Sequence, residues 1–167
     1  MNSRSGVLAV ISILLALPSI GGAQSKEFLV GTWKLVSVSN TTNDGAVQKD
    51  VFGKNPTGFL TYTADDRMMA IAASDGRKPL LLADWYAGPI EKRAEAFSTL
   101  FAYAGRYTVA GNKVIHHVEV AWIQSFVNTD LVRLMHLEGE QLVLRTTPFQ
   151  RDGVQYAYQD LVWKRVK

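Results

Sequence analysis

The stretch GRYTVAGNKVIHHVEVAW, residues 105–122, contains two runs of branched and aromatic residues that meet at Gly111-Asn112. Such side chains favour β-strands, and Gly-Asn is a preferred two-residue loop of a β-hairpin. The cross-strand pairs of that hairpin are Ala110–Lys113, Arg106–His117 and Ala104–Glu119. The stretch therefore predicts an antiparallel hairpin with the polar group His-His-x-Glu, residues 116–119, on its second strand.

Short strands of the same kind continue along most of the chain, with turn residues between them. Beside 103–109 and 114–122, the predicted strands are 29–38, 57–63, 68–73, 131–137, 142–147 and 156–166. Such a series, without linkers, repeats or low-complexity segments, is typical of a β-sandwich or a β-barrel. We therefore predict an all-β domain of eight or nine strands.

One segment departs from the strand pattern. Residues 89–103, PIEKRAEAFSTLFAY, begin with a proline and have apolar residues at helical spacing, which are Ile90, Ala94, Phe97 and Phe101. A proline in the first turn and this amphipathic period predict a single helix from about Pro89 to Ala102. We expect this helix to plug or flank the sheet structure.

The first 23 residues have the layout of a secretory signal peptide. Arg4 is their only charge, an apolar run extends from Val7 to Leu17, and small residues at 21–23 offer a cleavage site. The run is short for a membrane-spanning helix, so an uncleaved anchor is the weaker alternative. We expect cleavage after Ala23, one mature domain over residues 24–167, a secreted or periplasmic location and no stable membrane insertion.

Composition narrows the range of partners. The 167 residues include no cysteine, so disulfides and a lipid-bearing cysteine are excluded and the domain must rely on its own core. The formal net charge is only +3, and basic and acidic residues are interspersed. No basic stripe is present that would bind nucleic acid or an anionic membrane, so we expect no nucleic-acid partner.

Several motifs indicate a family. They are LVGTWKLVS (29–37), PTGFLTY (56–62), YAGRYTVAGNKVIHHVEVAW (103–122), TDLVRLMHLEGEQLVLRT (129–146) and LVWKRV (161–166). In these motifs the chain resembles the bacterial and fungal lipocalin-like domain family over nearly all of the mature domain. The resemblance implies an antiparallel up-and-down calycin-type barrel of eight to ten strands with one short amphipathic helix. It also implies an interior that holds one small apolar or amphipathic molecule.

The resemblance further implies that Trp33 closes one end of the barrel. Arg165 of the last strand is the best candidate to stack its guanidinium on the Trp33 ring through a cation–π contact. The chain departs from the family between Ile123 and Asn128, where Gln124 and Phe126 stand in place of a usual proline and tryptophan. The shape of that rim therefore stays open.

The two histidines of His-His-x-Glu lie on opposite faces of their strand. His117 shares a face with Glu119, whereas His116 shares the other face with Val114 and Val118. Residues on opposite faces do not readily ligate one metal ion, and no cysteine or second histidine-rich segment offers a further ligand. We therefore expect neither a metal site nor a cofactor.

A polar cluster is the candidate binding site, and it depends on which strand face is inside. Its members are Arg106, His117, Glu119 and Arg133. Leu142 and Leu144 alternate with polar residues, so their face is predicted to be buried, and the turn at Glu138-Gly139 ties it to Arg133. We expect all four members on that face, where two cations for one carboxylate leave a spare arginine to bind a ligand carboxylate.

The opposite face remains the alternative core. It is at least as apolar, with Tyr107, Val118, Val120, Val132 and Leu134. If that face is inside, the charged cluster is a solvated ladder on the surface, because a shift of one residue turns every side chain to the other face.

We expect a barrel that binds a small, mostly apolar molecule, with Tyr62 and Met135 among the lining residues. An alternative is a barrel isomerase or cyclase that uses His117 and Glu119 as acid and base, but a neighbouring arginine keeps a glutamate ionised, so we assign no catalytic residue. A third alternative is a packed barrel that acts through a protein partner. The segment from Ser74 to Gly88, with Trp85 and Tyr86, is a candidate lid.

Overall fold

The computed structural model describes residues 26–79 and 88–167. The expected signal peptide, and Trp85 and Tyr86 of the expected lid, lie outside these residues. The strands are β1 Gly31–Thr42, β2 Val47–Gln48, β3 Thr57–Tyr62, β4 Arg67–Ala73, β5 Leu100–Ala110, β6 Lys113–Ala121, β7 Asp130–Glu138, β8 Gln141–Thr146, β9 Phe149–Arg151 and β10 Val154–Arg165. The helix α1 spans Ile90–Ser98. The prediction of an all-β protein with one short helix is confirmed.

Eight of the strands close into an antiparallel barrel. Their order is β1, β3, β4, β5, β6, β7, β8 and β10, and β10 returns to β1 through pairs such as Val38–Leu161. The short strands β2 and β9 extend the ends of β1 and β10. Each strand of the closed part pairs with its neighbour in the chain order, which confirms the up-and-down topology. Closure leaves no free strand edge in this part of the sheet.

Trp33 and Arg165 lie in contact with each other at one end of the barrel. Trp33 is fully buried, and its Nε1 donates a hydrogen bond to the Leu29 carbonyl at 2.9 Å. The Arg165 guanidinium lies 4.1 Å from the centre of the Trp33 ring, as the sequence predicts. Arg165 also donates to the carbonyls of Val30, at 2.9 Å, and Phe28. These bonds tie the segment before β1 to the last strand.

The helix is shorter than predicted and does not enter the barrel. It ends at Ser98, and Phe101, which the helical period included, lies in β5 instead, because Ala72 and Phe101 pair across β4 and β5. None of its residues is buried, and Ile90 is 70% exposed. The helix therefore flanks the barrel. Within the described residues, no helix has the length and apolar character needed to cross a membrane.

A β-bulge divides the hairpin of β5 and β6. Ala110 pairs with Lys113 and Arg106 with His117, as predicted, but Ala104 then pairs with Val120. The predicted pairing of Ala104 with Glu119 is therefore wrong, and Glu119 is the extra residue of the bulge. A Cβ atom at Gly105 would lie 1.9 Å from the His117 carbonyl oxygen, so the close approach of the strands here requires glycine.

On β7 and β8 the inner face is the predicted one. Met135, Leu142 and Leu144 are buried, and Arg133, on the same side of β7 as Met135, is half-buried. Tyr62 of β3 is also buried. The interior placement of Arg133, Met135 and Tyr62 agrees with the sequence prediction.

On β5 and β6 the opposite face is inside. Arg133 pairs with Val114, and His117 pairs with the exposed Asp130, so Arg133 is not on the face of His117. The inner residues of these strands are Tyr107, Val114, His116 and Val118.

The prediction that Arg106, His117 and Glu119 line the interior with Arg133 is therefore wrong, since these three side chains lie on the outer face. The physical reason is the connection from β6 to β7. Hydrogen bonds from Val118 N to Thr129 O at 3.0 Å and from Asn128 N to Val118 O at 2.8 Å fix the register one residue away from the expected one.

Candidate ligand-binding site

A chain of three hydrogen-bonded side chains lies inside the barrel. His116 of β6 is fully buried, and its Nε2 lies 2.6 Å from the Tyr62 hydroxyl while its Nδ1 lies 2.9 Å from the Tyr103 hydroxyl. Tyr62 comes from the end of β3 and Tyr103 from the first half of β5. Strand alternation directs all three side chains inward, so the polar group is built from three different strands on one face of the sheet.

The imidazole of this chain is neutral at neutral pH. Burial, the Arg133 cation and the neighbouring His117 hold the pKa of His116 well below its ordinary value of 6.5. Burial also raises the pKa of Tyr62 well above 10.0 and raises the pKa of Tyr103, so both hydroxyls keep their hydrogens. A neutral imidazole has one N–H donor and one acceptor nitrogen.

One hydrogen of the chain has no acceptor among the described residues. Two hydroxyl hydrogens and one ring N–H are available, but only two hydrogen bonds join the three side chains. In either tautomer of His116, one tyrosine donates to the ring and the other accepts from it, so the accepting tyrosine keeps a free O–H. The inner face therefore offers a hydroxyl O–H donor, and the neighbouring imidazole cannot accept its hydrogen bond.

Arg133 brings a cation to the same place. His116 pairs with Leu131, two residues from Arg133 on the same face, so the two side chains are diagonal neighbours. The guanidinium donates to the Val132 carbonyl at 3.0 Å, and its charge acts on the pKa of Tyr62, Tyr103 and His116. In the part of the chain that the structure describes, no carboxylate forms a salt bridge with Arg133.

An aromatic cluster extends from this polar group to the end of the barrel opposite Trp33. It consists of Phe52, Phe101, Trp122 and Phe126, all half-buried. Phe101 is stacked with Tyr103 at a centroid distance of 6.2 Å, and it lies 5.8 Å from Phe52 and 6.0 Å from Trp122. Phe126, in the segment where the chain departs from the family pattern, packs edge-on against Trp122 at 5.2 Å. Flat apolar rings therefore lead to the buried polar chain.

The outer face of the same hairpin holds the residues that the sequence proposed for the interior. His117 Nε2 lies 3.0 Å from the Thr108 hydroxyl, and its Nδ1 lies 2.7 Å from Asp130 Oδ1. Glu119 accepts two hydrogen bonds from Arg67, at 2.9 and 2.7 Å. These bonds lower the pKa of Glu119, which stays ionised.

His117 and Glu119 thus have separate partners and share no cleft. His117 is 38% exposed and Glu119 46%. The geometry that the isomerase or cyclase alternative needs, an acid and a base inside the barrel, is not formed by these two residues. Arg106 also lies on this outer face.

His116 is the functional candidate that the sequence interpretation missed. It was assigned to the face of Val114 and Val118, but that face was not expected to be the interior. A histidine between two valines on one strand face is a signal that could have been used, because a buried imidazole needs hydrogen-bond partners. The tyrosines that supply them, Tyr62 and Tyr103, are distant in the sequence, and nothing local connects them to His116.

The closed antiparallel barrel of eight strands, with one short helix, is the architecture of a lipocalin-like protein. The chain matches the lipocalin-like domain over residues 30–166 and belongs to the lipocalin-like domain family. It is 28% identical over 92 residues to the 4'-hydroxy-3'-methoxypropiophenone carrier protein ppsC of Aspergillus oryzae (strain ATCC 42149 / RIB 40). The alignment covers 50% of this chain and 82% of that protein.

Two solved structures align with most of this chain. A lipocalin-like protein from Bacteroides uniformis ATCC 8492 aligns at 16% identity and a TM-score of 0.41, over 83% of this chain and 98% of that chain. A mutant of the fluorescent protein UnaG aligns at 15% identity and a TM-score of 0.37, over 84% and 97% of the two chains.

Proposed function

We propose that this protein is a carrier that binds one small, mostly apolar aromatic molecule between the aromatic cluster and the Tyr62–His116–Tyr103 chain. The observation that carries the proposal is the hydroxyl hydrogen of this buried chain that finds no acceptor among the described residues. A buried donor without an acceptor is costly, and a ligand oxygen would remove that cost. The lipocalin-like fold and the similarity to a protein named as a carrier support small-molecule binding in general.

The apolar and the polar residues of the site have different roles in binding. Phe101, Trp122 and their neighbours supply flat apolar surface, which contributes most of the affinity for a small ligand. The Tyr62–His116–Tyr103 chain and Arg133 supply a few polar groups that orient the ligand. The proposed anchor is therefore different from the one expected from the sequence, because Arg106, His117 and Glu119 lie outside the barrel.

We also propose that the protein is exported. The support is the layout of residues 1–23, with one early charge, an apolar run and small residues before Gln24. N-terminal sequencing of the protein secreted or released from the periplasm of its host tests this proposal. We expect the mature chain to begin at Gln24, and a chain that retains Val7 to Leu17 in the membrane fraction would contradict it.

Native mass spectrometry tests the binding function directly. The protein is purified gently from its own host, its intact mass is measured, and any passenger is released by denaturation and identified. We expect one passenger per chain in the wild type and in His117→Gln, which changes only the outer face. We expect the passenger to be lost or much reduced in Tyr62→Phe combined with Tyr103→Phe, which removes both hydroxyls and keeps the rings.

Two outcomes would count against the carrier. Full retention of the passenger in the double phenylalanine variant would place the ligand elsewhere. A wild-type protein that carries no passenger, and that also fails to bind added aromatic compounds, would favour the alternative of a packed barrel that acts through a protein partner.

A further inference from the structure

Among the described residues, the interior of the barrel has a cation, Arg133, but no acidic side chain to balance it. The buried polar side chains of the described residues are Asn40, Thr41, His116 and Gln159, and none of them is acidic. The arginines of the described residues that do have carboxylate partners lie on the outside of the barrel. Arg67 binds Glu119, and Arg145 binds Asp160. Arg133 is therefore a half-buried cation beside the buried polar chain, and the described residues provide no carboxylate counter-ion for it.

The groups around Arg133 offer hydrogen-bond donors to a ligand. The guanidinium has five N–H groups, one of which donates to the Val132 carbonyl, and Arg133 is also hydrogen-bonded to Tyr103. The Tyr62–His116–Tyr103 chain adds its free hydroxyl hydrogen. The Tyr107 hydroxyl does not compete for this role, because it donates to the Thr63 carbonyl at 2.9 Å. A ligand that meets these donors must present an acceptor oxygen, and an anionic oxygen would also neutralise Arg133.

We propose that the ligand is an aromatic compound with an acidic oxygen, a phenol or a carboxylic acid, and that the barrel binds it as the oxyanion between Arg133 and the tyrosine hydroxyls. This inference rests on the proposed carrier function and specifies its ligand class. The ring lies against Phe101 and Trp122, and the charged oxygen points to Arg133. A neutral molecule of the same shape leaves the cation without a counter-ion when it excludes water, so it binds more weakly.

The proposal has a spectroscopic consequence in wild-type protein. The probe is 4-nitrophenol, whose ionised form has a different absorption spectrum and whose ionisation falls near neutral pH. A nearby cation and hydrogen-bond donors favour the ionised form, so binding is expected to lower the pKa of the probe by about one unit or more. By linkage the phenolate then binds about tenfold or more tightly than the phenol.

The protein groups that face Arg133 do not titrate in the same range. They are His116 from β6, Tyr62 from β3, and Tyr103 and Tyr107 from β5, and the β8 residues that pair with β7 nearby, Thr146 and Leu144, carry no charge. The pKa of His116 is lowered and those of the three tyrosines are raised, so the change in spectrum near neutral pH reports on the probe.

Three probes and three variants separate the causes. The methyl ether 4-nitroanisole has the same ring but cannot ionise, so it is expected to bind at least about tenfold more weakly than 4-nitrophenolate. Arg133→Gln should abolish the pKa shift of the probe and this preference, and Arg133→Lys should restore part of both by returning the charge. His117→Gln, on the outer face, should behave as the wild type. The third probe, 4-nitrobenzoate, decides between the two sources of the anion, since tighter binding than 4-nitrophenolate assigns a carboxylate and weaker binding assigns a phenolate.

Different binding results would contradict the carrier proposal and the proposal of an anionic ligand. Equal binding of 4-nitroanisole and the anions, with no shift in the pKa of 4-nitrophenol in the wild type, would overturn the charge inference and leave the carrier standing. Binding of none of the three probes to folded wild-type protein that also carries no passenger would overturn both. Circular dichroism spectra of all variants establish that each is folded.

Discussion

Two adjacent histidines have opposite environments in this barrel. His116 is fully buried between two tyrosine hydroxyls, whereas His117 is 38% exposed between a threonine hydroxyl and a carboxylate. Strand alternation alone sends them to different faces. The comparison teaches that the function of a histidine in a sheet is decided by the face it lies on and by the partners that distant strands bring to that face.

The two faces also differ in how they treat charge. On the outer face Glu119 forms a salt bridge with Arg67 and Asp130 is hydrogen-bonded to His117, and water screens the exposed charges. The inner face has neutral hydroxyls around a neutral imidazole, and Arg133 beside them has no acidic partner among the described residues. An outer pair can be lost at little cost, but an inner change leaves unpaired groups in a medium of low dielectric.

The largest effect is expected at the glycine that lets the two strands approach each other. In Gly105→Ala the new Cβ atom would meet the His117 carbonyl oxygen at 1.9 Å, so β5 and β6 must separate, and we expect a loss of about 3 kcal/mol or more in the free energy of unfolding. Urea unfolding measures it. Gly111→Ala is the control, since it has a φ of +61° but open space around it, and a cost of about 1 kcal/mol is expected. Similar losses in both variants would show that the close approach at Gly105 is not tight in solution.

Replacing the inner histidine is expected to have the next largest effect. His116→Leu keeps much of the volume but removes the imidazole partner of the Tyr62 and Tyr103 hydroxyls, and we expect a loss of about 2 to 3 kcal/mol in the free energy of unfolding. The matched change on the outer face, His117→Gln, removes an exposed hydrogen bond with Asp130 and should cost less than about 1 kcal/mol. Unfolding in urea compares the two. Equal losses in the free energy of unfolding would show that the two histidines contribute equally to stability, whichever face they lie on.

How far the sequence predicts this molecule depends on the kind of connection between strands. The Gly-Asn loop at residues 111–112 specifies its hairpin, so the pairing of Arg106 with His117 was predicted correctly. The connection from β6 to β7 includes a 3-10 turn at Gln124–Phe126 rather than a two-residue loop, and no local signal fixes its register. The predicted site failed at that point, because an error of one residue moved Arg133 away from His117.

The bulge and the C-terminal end of the helix were not predicted, for related reasons. The bulge exists because Gly105 allows the backbones to approach, and a glycine in a strand pattern only hints at that. Phe101 has helical spacing with Phe97, but long-range pairing with Ala72 draws it into β5. By contrast, the contact of Arg165 with Trp33 was predicted from the family resemblance. Local patterns thus predicted the elements, while contacts between distant strands decided the site.

The pH dependence of stability is expected to come from the inner histidine. The pKa of His116 in the folded state is depressed below its ordinary value of 6.5, so the unfolded chain binds more protons at lower pH. The contribution is fully present above pH 6.5 and is lost as the pH falls below it, by up to about 1.4 kcal/mol per pH unit. Urea unfolding at several values between pH 7.5 and the ordinary Glu value of 4.5 measures this slope. His116→Leu should flatten the curve and His117→Gln should not, and a steep curve in His116→Leu would assign the slope to another group.

The smallest effect is expected at the ion pair that the outer face forms around Glu119. Because Arg67 and Glu119 are both close to half exposed, water already screens their attraction, and Glu119→Gln should leave the urea midpoint almost unchanged. Any small loss should disappear at about 1 M salt, where surface charges interact over only a few ångströms. The same variant should bind the aromatic probes as the wild type does, since Glu119 contributes nothing to the interior. A clear loss of binding in Glu119→Gln, with stability intact, would move the functional site to the outer face and reverse the comparison between the two histidines.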